Sequence, residues 1–361
     1  MRAETARRRL TAEMTTIKVE ASGSYEVKIG ENLLSSCGAE ARGLFPKAER
    51  CLIVSDTNVA PLYLEKVKSS LTDAGFGTIE YIIPAGEESK NGEMFLRILN
   101  FLAENKLTRT DFAVALGGGV VGDLTGFVSA CYLRGIKFIQ IPTTLLADVD
   151  SSVGGKTAID LEAGKNLAGA FYQPSLVLCD YLTLNTLTPE VFSDGCAEVI
   201  KYGILGDTEL FRHLENKGLN FDTEYVISRC IDAKRRVVME DEFDTGARRF
   251  LNLGHTLGHA VEQRSAFTLS HGKSVAIGTA AVSNASAKAG IMPKSDAERI
   301  VKILREFNLP TDVPYDLNVL YPIMLSDKKR TGSTVNLIVP QEIGKCAVMP
   351  MNLNELREFF E

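Results

Sequence analysis

The sequence predicts an α/β amino-terminal domain with a parallel sheet, followed by a mainly α-helical carboxy-terminal domain. Short apolar runs alternate with helical patterns as far as Thr188, and long helical patterns replace them from Pro189 onward. The length of 361 residues is enough for two domains of ordinary size. We therefore expect one domain over residues 1–188 and a second over residues 189–361.

Each predicted strand of the first domain is a short apolar run that ends near a turn residue. A hairpin is expected at Ile17–Glu20 and Tyr25–Ile29, on either side of Ser22-Gly23-Ser24. The later strands are expected at Cys51–Ser55, Thr78–Ile83, Phe112–Leu116, Lys137–Ile141 and Leu176–Cys179. Helical patterns up to Ala74 and over Met94–Asn105 separate some of these strands, which is typical of a parallel sheet with helices on both faces.

The second domain is predicted to be helical with one late pair of strands. Helical patterns run through Glu198, Arg235, His259 and Ala285. Val335–Val339 and Ala347–Met349 are the two candidate strands.

Composition and charge exclude several classes of protein. The net charge of -6 argues against a general binder of nucleic acids or of acidic membranes. The seven cysteines include no Cys-x-x-Cys pair, which favours reduced thiols and a cytoplasmic location. No apolar run approaches the roughly 20 residues of a membrane helix, and the arginine-rich start has no apolar segment after it, unlike a secretory signal. We expect a cytoplasmic protein that binds neither nucleic acid nor membrane.

A histidine cluster is the strongest local signal. Three of the four histidines lie between His255 and His271. Arg248, Asn252, His255 and His259 are spaced four, three and four apart, so one continuous helix would place them on one face. A guanidinium, an amide and two imidazoles suggest the wall of a site for a metal and an anion. The alternative is a solvated helix whose histidines are satisfied by ordinary hydrogen bonds.

The residues around these histidines narrow the interpretation. A zinc protease needs Glu after the first His of a His-x-x-x-His pair, and Thr256 stands there instead. Gly254 and Gly258 are costly inside a helix, which suggests close approach by another backbone or by a ligand.

A glycine-rich stretch follows the predicted strand Phe112–Leu116. Gly117, Gly118 and Gly119 lead into a helical pattern, and backbone N–H groups at such a helix start can bind a pyrophosphate. The alternative is a plain tight turn. Asp56, directly after an earlier strand, could accept hydrogen bonds from a ribose or could cap a helix.

A second glycine-containing stretch, Asp150–Lys156, is followed by Thr157, so it ends in Gly-Lys-Thr like the phosphate-binding loop of nucleoside triphosphatases. The full phosphate-loop pattern would need a glycine at Asp150, so that interpretation is weak. A flexible Gly-Gly turn that presents Lys156 and Asp150 is favoured, with Lys165 and Asn166 nearby.

These motifs occur in one order that resembles the 3-dehydroquinate synthase family, from about Ser55 to Pro340. The matching segments are Gly117-Gly118-Gly119-Val120-Val121-Gly122-Asp123, Arg134-Gly135, Pro142-Thr143-Thr144-Leu145-Leu146, Asp150-Ser151-Ser152-Val153-Gly154-Gly155-Lys156, Gly164-Lys165-Asn166, Ala197-Glu198-Val199-Ile200-Lys201-Tyr202-Gly203 and Asn252-Leu253-Gly254-His255-Thr256-Leu257-Gly258-His259.

The resemblance implies a Rossmann-like first domain that binds NAD and a helical second domain that binds substrate and one divalent metal, usually zinc, with cobalt as the alternative ion. The implied activity belongs to the shikimate pathway of aromatic amino acid biosynthesis. It converts 3-deoxy-D-arabino-heptulosonate 7-phosphate into 3-dehydroquinate and phosphate. The implied steps are transient oxidation by NAD, phosphate elimination, re-reduction and intramolecular aldol closure, so that the enzyme is a lyase.

Site residues also follow from the resemblance. The implied metal ligands are Glu198, His255 and His271. The implied NAD contacts are Asp56, Glu87, Lys90, Gly119, Val120, Val121, Gly122, Asp123, Thr143, Thr144, Lys156, Lys165, Thr183, Leu184, Asn185 and Thr186. The implied catalytic and substrate residues are Lys156, Lys201, Lys234, Arg248, Asn252, His259, Arg134, Asp150, Asn166 and Lys328. Arg134 resembles a residue that reaches the phosphate site of a neighbouring subunit, which implies a homodimer.

Two positions depart from the family pattern. Asp148 stands where Gln or Met is common, and Lys273 stands where Glu is usual. Three other functions are alternatives to the main one: a related sugar phosphate cyclase, a metal-dependent alcohol dehydrogenase and a non-catalytic NAD-binding regulator.

Overall fold

The computed structural model describes residues 14–325, 330–331 and 334–361. The chain forms two compact units. One comprises the described residues up to Leu187 together with Lys234–Phe243, and the other comprises Thr188–Ala233 and the described residues of Asp244–Glu361. A compact unit is not necessarily a domain that folds on its own, so the domain boundary expected near Thr188 stays a prediction.

The first unit is built on a seven-stranded sheet. Its strands are β1 (Thr15–Glu20), β2 (Ser24–Gly30), β3 (Arg50–Asp56), β4 (Gly77–Ile83), β5 (Phe112–Gly117), β6 (Lys137–Pro142) and β9 (Leu176–Asp180). Their order across the sheet is β1-β2-β9-β6-β5-β3-β4. Strands β1 and β2 pair antiparallel as the predicted hairpin, and the other neighbouring strands of this sheet pair parallel. The predicted α/β class with a parallel sheet is confirmed.

Apolar residues cover both faces of this sheet because successive side chains of a strand point to opposite sides. Cys51 and Ile53 of β3 lie in one core, which also holds residues of α1 (Cys37–Leu44) and α2 (Ala60–Asp73). Leu52 and Val54 lie in the other core, with residues of α3 (Gly92–Glu104) and α4 (Gly119–Cys131). The continuous apolar runs in the sequence therefore mark strands that are buried on both sides.

The strand order creates a switch point between β3 and β5. From β3 the chain crosses to β4 on one side, and from β5 it crosses to β6 on the other side. In open α/β sheets, ligands bind outside the carboxyl ends of the strands at such a point. Asp56 ends β3 and Gly117 ends β5, so both residues border this crevice.

The Gly-Gly turn expected before Lys156 is present, with positive φ at Gly154 and Gly155, and it leads into an antiparallel hairpin that was not predicted. Its strands are β7 (Lys156–Leu161) and β8 (Gly164–Phe171), and Lys156 opposite Phe171 starts the pairing. Asp150 lies just before it, in a π-helical turn over Ala147–Ser151. The hairpin escaped prediction because its small and polar residues lack the apolar run that identified the other strands.

The second unit is mainly helical, as predicted. Its helices are α5 (Pro189–Leu205), α6 (Thr208–Lys217), the first part of α7 (Thr223–Glu240), α8 (His255–Arg264), α9 (His271–Lys288), α10 (Lys294–Glu306), α11 (Leu317–Leu325) and α12 (Leu353–Phe360). The predicted late strands are β11 (Thr334–Glu342) and β12 (Lys345–Met351), and the short strand β10 (Arg330–Thr331) pairs with β11. Among the described helices, none has both the length and the apolar character needed to cross a membrane.

The prediction that one helix carries Arg248, Asn252, His255 and His259 is wrong. Arg248 and Asn252 lie on a 3₁₀ helix, Ala247–Asn252, whereas both histidines lie on α8. Gly254 separates the two segments with a φ of 77°, a left-handed conformation that a helix interior does not allow. The glycine that looked costly inside a helix in fact stands before its first residue.

Candidate metal centre and nucleotide site

Helix α5 carries the buried carboxylate of the candidate metal centre. The helix begins at Pro189, and the Thr188 side chain accepts a hydrogen bond from Val191 N at 3.4 Å. Glu198 and Lys201 are three residues apart and therefore share a face, on which they are 0% and 1% exposed. The Lys201 ammonium forms an ion pair with Glu198 Oε2.

His255, the first residue of α8, presents one ring nitrogen to this carboxylate. Its Nδ1 lies 2.9 Å from the carbonyl oxygen of Leu253. Because a carbonyl oxygen can only accept, Nδ1 must carry the hydrogen, and a neutral ring then keeps a lone pair on Nε2. That Nε2 is 3.6 Å from Glu198 Oε1.

His271, the first residue of α9, lies between two carboxylates. Its Nε2 is 3.5 Å from Glu198 Oε1, and its Nδ1 is 3.6 Å from Oε2 of Glu262. Burial lowers the pKa of His271, but hydrogen bonding and charge from Glu198 and Glu262 outweigh it and raise the pKa to about 10. The surroundings of this ring therefore favour a positive charge, whether a proton or a metal ion supplies it.

Close packing of α8 against α9 brings the histidines together. A Cβ added at Gly258 would lie 2.7 Å from the carbonyl oxygen of Ser274, and one at Gly278 would overlap the carbonyl oxygen of Gly254. The expectation that Gly254 and Gly258 permit close approach of another backbone is confirmed. As a result, the ring centres of His255 and His271 are only 5.3 Å apart.

The residues present fit a divalent metal. One ligand atom each from Glu198, His255 and His271 lies within 4.8 Å of the others. Tetrahedral zinc with bonds of about 2.0–2.1 Å would need ligand atoms about 3.3 Å apart, close to the observed 3.5 and 3.6 Å between the ring nitrogens and Glu198 Oε1. Three protein ligands would leave the fourth position open, as in catalytic zinc sites.

His259 lies beside this group but belongs to a different cluster. Its ring centre is 5.3 Å from that of His255 and 5.9 Å from that of His271. One ligand atom each from His259, Glu262 and His271 also meets the 4.8 Å limit. Among the described residues, neither of these two clusters contains both His255 and His259.

Other predicted substrate residues of the second unit are only partly located. Arg248 is buried on its 3₁₀ helix, and Asn252 ends the same helix. A buried guanidinium keeps its charge at any physiological pH and so maintains a local positive field. Lys328 lies outside the described residues.

The predicted nucleotide residues of the first unit follow the carboxyl ends of parallel strands. Gly118 precedes the first residue of α4 in extended conformation, and a Cβ there would lie 3.2 Å from Thr144. The buried hydroxyls of Thr143 and Thr183 have no hydrogen-bond partner among the described residues. Buried hydroxyls are normally paired, so these two fit a polar cofactor placed against them.

Val59, and not Asp56, is the N-cap of α2, and it makes no side-chain capping bond, so the N-cap interpretation of Asp56 is wrong. Asp56 instead closes the turn that precedes this helix. Its Oδ1 accepts hydrogen bonds from the backbone of Asn58 and Val59 at 2.8 and 3.0 Å. The alternative role, binding a ribose, stays a prediction. The predicted Thr183–Thr186 segment follows β9. The hydroxyl of Tyr63 donates to Thr183 O at 3.1 Å and lies 2.7 Å from Thr186 Oγ1, and these contacts hold the segment in position.

A buried charge network surrounds Lys90. Its Nζ lies 2.9 Å from Glu87, 3.3 Å from Asp123 and 3.9 Å from Asp160, and Lys165 approaches Glu87 at 3.7 Å. Burial raises the pKa of Asp123 to about 6, against the opposing effect of Lys90. Burial opposes ionisation of Glu87 too, but Lys90 and Lys165 hold its pKa below the usual value.

Lys234 and Asp150 form the second charged pair of the first unit. Lys234 is buried on α7, and its Nζ is 2.9 Å from Asp150 Oδ1. Lys156 starts β7 as an exposed residue, and Asn166 is exposed on β8. Arg134 is exposed as well, with a φ of 68° in the turn before β6.

Three charged residues near these sites were missed by the sequence analysis. Glu262 follows His255 by seven residues and His259 by three, so helical spacing could have found it. Asp194 precedes Glu198 by four residues on the same face of α5. Asp160 joins the Lys90 network only through the pairing of the unpredicted hairpin.

Comparison with known proteins identifies the family. A model described as 3-dehydroquinate synthase N-terminal matches residues 80–194, and one described as 3-dehydroquinate synthase C-terminal matches residues 195–330. A 3-dehydroquinate synthase of Streptococcus suis (strain 05ZYH33) is 41% identical over 93% of this chain and 97% of the relative. That of Clostridium acetobutylicum is 41% identical over 96% of this chain and 99% of the relative.

Solved structures share the fold. A 2-deoxy-scyllo-inosose synthase complexed with carbaglucose-6-phosphate, NAD+ and Co2+ has a TM-score of 0.86 at 24% identity, with coverage of 96% of this chain and 99% of that one. The 2-epi-5-epi-valiolone synthase of Streptomyces hygroscopicus, with NAD+ and Zn2+ bound, has a TM-score of 0.85 at 24% identity over 95% and 97%. An iron-containing alcohol dehydrogenase of Thermotoga maritima scores 0.66 at 16% identity over 95% and 98%.

The two family models together span most of the chain, and the relatives at 41% identity match it almost from end to end. The motifs that suggested the resemblance lie within these matches. The chain therefore belongs to the 3-dehydroquinate synthase family.

Proposed function

We propose that this enzyme converts 3-deoxy-D-arabino-heptulosonate 7-phosphate into 3-dehydroquinate and phosphate. The observation that carries the proposal is the buried cluster of Glu198, His255 and His271 in a chain of this family. The two ring nitrogens face one carboxylate oxygen at 3.6 and 3.5 Å, which suits a divalent ion with an open position for substrate.

Zinc is the metal we propose for this cluster, with cobalt as a possible substitute. Two imidazoles and one carboxylate suit either ion, and structures with the same fold hold Zn2+ or Co2+. When bound, the metal would polarise the substrate alcohol, and NAD would accept a hydride and return it, so that the net reaction is redox-neutral.

The NAD site is proposed at the β3–β5 switch point. The supporting features are the glycines at the start of α4, the buried hydroxyls of Thr143 and Thr183, and the carboxylate of Asp56. The remaining proposed contacts are Glu87, Lys90, Gly119, Val120, Val121, Gly122, Asp123, Thr144, Lys156, Lys165, Leu184, Asn185 and Thr186.

The substrate carries a phosphate and a carboxylate, and the chain supplies cations for both although its net charge is -6. We assign binding of these anions to Lys156, Lys201, Lys234, Arg248 and Arg134. Lys201 and Lys234 are held in place by ion pairs with Glu198 and Asp150. Asn252, Asn166 and Lys328 are proposed to hydrogen-bond the substrate, and His259 to transfer a proton.

We further propose that the enzyme is a cytoplasmic homodimer. All seven cysteines are free in the structure, which suits a reducing compartment. Arg134 is exposed at a positive φ, so its side chain is available to the phosphate site of a second subunit.

The reaction is tested by release of phosphate from the heptulosonate phosphate while NADH is followed at its absorbance maximum. Phosphate and dehydroquinate should accumulate in large excess over enzyme without a matching amount of NADH. Steady accumulation of NADH would favour the metal-dependent alcohol dehydrogenase, and a cyclitol product would favour a related cyclase.

The ligand assignment is tested by alanine substitutions at the three clustered histidines. His255→Ala and His271→Ala should lose most bound metal after dialysis, because two protein ligands hold zinc poorly. His259→Ala should keep the metal and lose about 10²–10⁴-fold in rate, the range for a general acid–base group. If His259→Ala loses its metal and His271→Ala retains it, the ligand set is wrong.

Sharing of sites in a dimer is tested by mixing two inactive variants. Arg134→Ala and Lys156→Ala should each be nearly inactive alone, and exchange of subunits should restore part of the activity. Failure to recover activity after confirmed exchange would argue against an Arg134 that serves the neighbouring subunit.

A further inference from the structure

We propose that two carboxylates outside the ligand set, Glu262 and Asp194, position His271 for metal binding. Glu262 orients the imidazole ring, and Asp194 holds the backbone from which the ring projects. The inference rests on the proposed ligand set of Glu198, His255 and His271.

Glu262 acts on the ring of His271. It lies on α8, seven residues after His255 and therefore on the same face of that helix. Its side chain is buried, and Oε2 is 3.6 Å from His271 Nδ1. An ionised carboxylate can only accept, so it favours the ring with hydrogen on Nδ1 and a lone pair on Nε2. That Nε2 is the atom that faces Glu198 at 3.5 Å.

The two histidine ligands thus have matching outer partners. His255 directs Nδ1 to the carbonyl oxygen of Leu253, and His271 directs Nδ1 to Glu262. In both rings, Nε2 faces the same oxygen of Glu198, Oε1. Metal-binding histidines almost always have such a partner, which sets the tautomer and the ring angle.

Asp194 acts on the backbone of α9. It lies on α5, one helical turn before Glu198, and its Oδ1 accepts hydrogen bonds from Ser270 Oγ and from Lys273 N, the latter at 2.9 Å. Ser270 occupies the cap position before His271, but its own side chain makes no capping bond. A carboxylate from a different helix therefore satisfies an N–H in the first turn of α9.

Backbone contact reinforces this connection between α5 and α9. A Cβ added at Gly272 would overlap the carbonyl oxygen of Asp194, so the first turn of α9 lies directly against α5. Glu198 projects from α5 and His271 from that first turn of α9. The Asp194 contact consequently sets the distance between these two proposed ligands.

A competing role for Glu262 is direct ligation. His259, Glu262 and His271 could hold an ion of their own. That arrangement would use Nδ1 of His271 to bind a second metal, and this nitrogen would then carry no hydrogen toward Glu262. Metal stoichiometry distinguishes the roles, because positioning predicts one ion per chain and direct ligation predicts two.

The test uses metal affinity and a spectroscopic signature, with no dependence on turnover. Apo protein is titrated with Co2+ against a competing chelator, for wild type, Glu262→Gln, Asp194→Ala, His271→Ala and Asp207→Ala. Asp207 is the matched control because it caps α6 by accepting from Leu210 N at 2.9 Å, on a helix without a proposed ligand. Circular dichroism checks that each variant is folded.

We expect Glu262→Gln to weaken Co2+ binding about 10–100-fold, the usual effect of removing an outer partner of a metal ligand. Asp194→Ala should weaken it about tenfold, and Asp207→Ala should leave it unchanged despite loss of a helix cap. With only four histidines in the chain, ¹⁵N-histidine NMR of the zinc-loaded protein can follow each ring. His271 should carry hydrogen on Nδ1 in wild type and should lose this fixed tautomer in Glu262→Gln.

Unchanged Co2+ affinity in both Glu262→Gln and Asp194→Ala would overturn the positioning role. A second bound ion in wild type that Glu262→Gln removes would also overturn it, in favour of direct ligation. Co2+ binding that His271→Ala does not weaken would reject the proposed ligand set itself, which separates failure of the proposed function from failure of this inference.

Discussion

The contact between α8 and α9 can be tested by adding one methyl group. In Gly258→Ala, the new Cβ would lie 2.7 Å from Ser274 O and 3.2 Å from Val275 Cα, where ordinary contacts begin at 3.4 Å. Both obstacles are backbone atoms of α9, which cannot rotate away as the end of a side chain could. The two helices must therefore separate locally by about 0.7 Å.

The expected energy follows from two opposing effects. Overpacking of a buried contact costs about 1–3 kcal/mol. The higher helix propensity of alanine offsets about 1 kcal/mol of this cost. Gly258→Ala should therefore lower the free energy of unfolding by up to about 2 kcal/mol. Gly43→Ala on α1 is the control, because a Cβ there meets nothing within 4 Å and should stabilise by about 0.5–1 kcal/mol.

The same shift should weaken metal binding. His255 projects from α8 and His271 from α9, and ligand sets tolerate displacements of only about 0.5 Å. We expect Gly258→Ala to lose about tenfold or more in Co2+ affinity, measured by chelator competition, and Gly43→Ala to lose none. Urea unfolding gives the stabilities. If Gly258→Ala is as stable as Gly43→Ala and binds Co2+ as tightly, the close contact between the helices does not control the site.

Three further predictions concern the first unit. Burial raises the pKa of Asp148 well above its usual range, so the folded chain keeps a proton that the unfolded chain releases near pH 4. Stability relative to Asp148→Asn is then lost as pH rises above about 4, by about 1.4 kcal/mol per pH unit until the pH reaches the raised pKa of the folded state. A stability difference between the two proteins that stays constant from pH 4 to 7 in urea unfolding would contradict this. Lys90→Met removes the buried cation that lies between three carboxylates and should lower the free energy of unfolding by about 3 kcal/mol at pH 7. The decrease should be smaller at pH 5, and equal decreases at the two pH values would count against the network. Gly126→Ala would force a Cβ into the buried side chain of Thr157 and should lower the melting temperature, whereas Gly122→Ala meets the flexible end of a glutamine and should be better tolerated; the reverse order of melting temperatures would refute the packing argument.

Local patterns in the sequence determined most of the fold. The hairpin β1–β2, the five later strands of the large sheet and the helices between them follow from apolar periodicity, which depends only on near neighbours along the chain. The motif order was also sufficient to identify the family, because each matching motif is a continuous stretch of the chain. The chemical types at the candidate site, imidazole and carboxylate, could be named for the same reason.

Tertiary structure decided which of these groups meet. Helical spacing made His255 and His259 appear to be a pair, but the packing of α5, α8 and α9 places His255 with Glu198 and His271 instead. Gly254 interrupts the continuous helix that was predicted, because its φ is left-handed. Glycine permits this conformation but does not require it, so the sequence could not predict the break.

The outer partners of His271 were likewise beyond the sequence patterns used. Asp194 caps a helix that begins far along the chain, and Glu262 reaches a ring on the neighbouring helix. Contacts of this kind depend on how two helices pack, and packing is set by contacts between residues that are distant in sequence. The sequence could therefore supply the candidate ligands and the elements that carry them, whereas only the packed structure determined the distances and ring orientations that make them a candidate metal site.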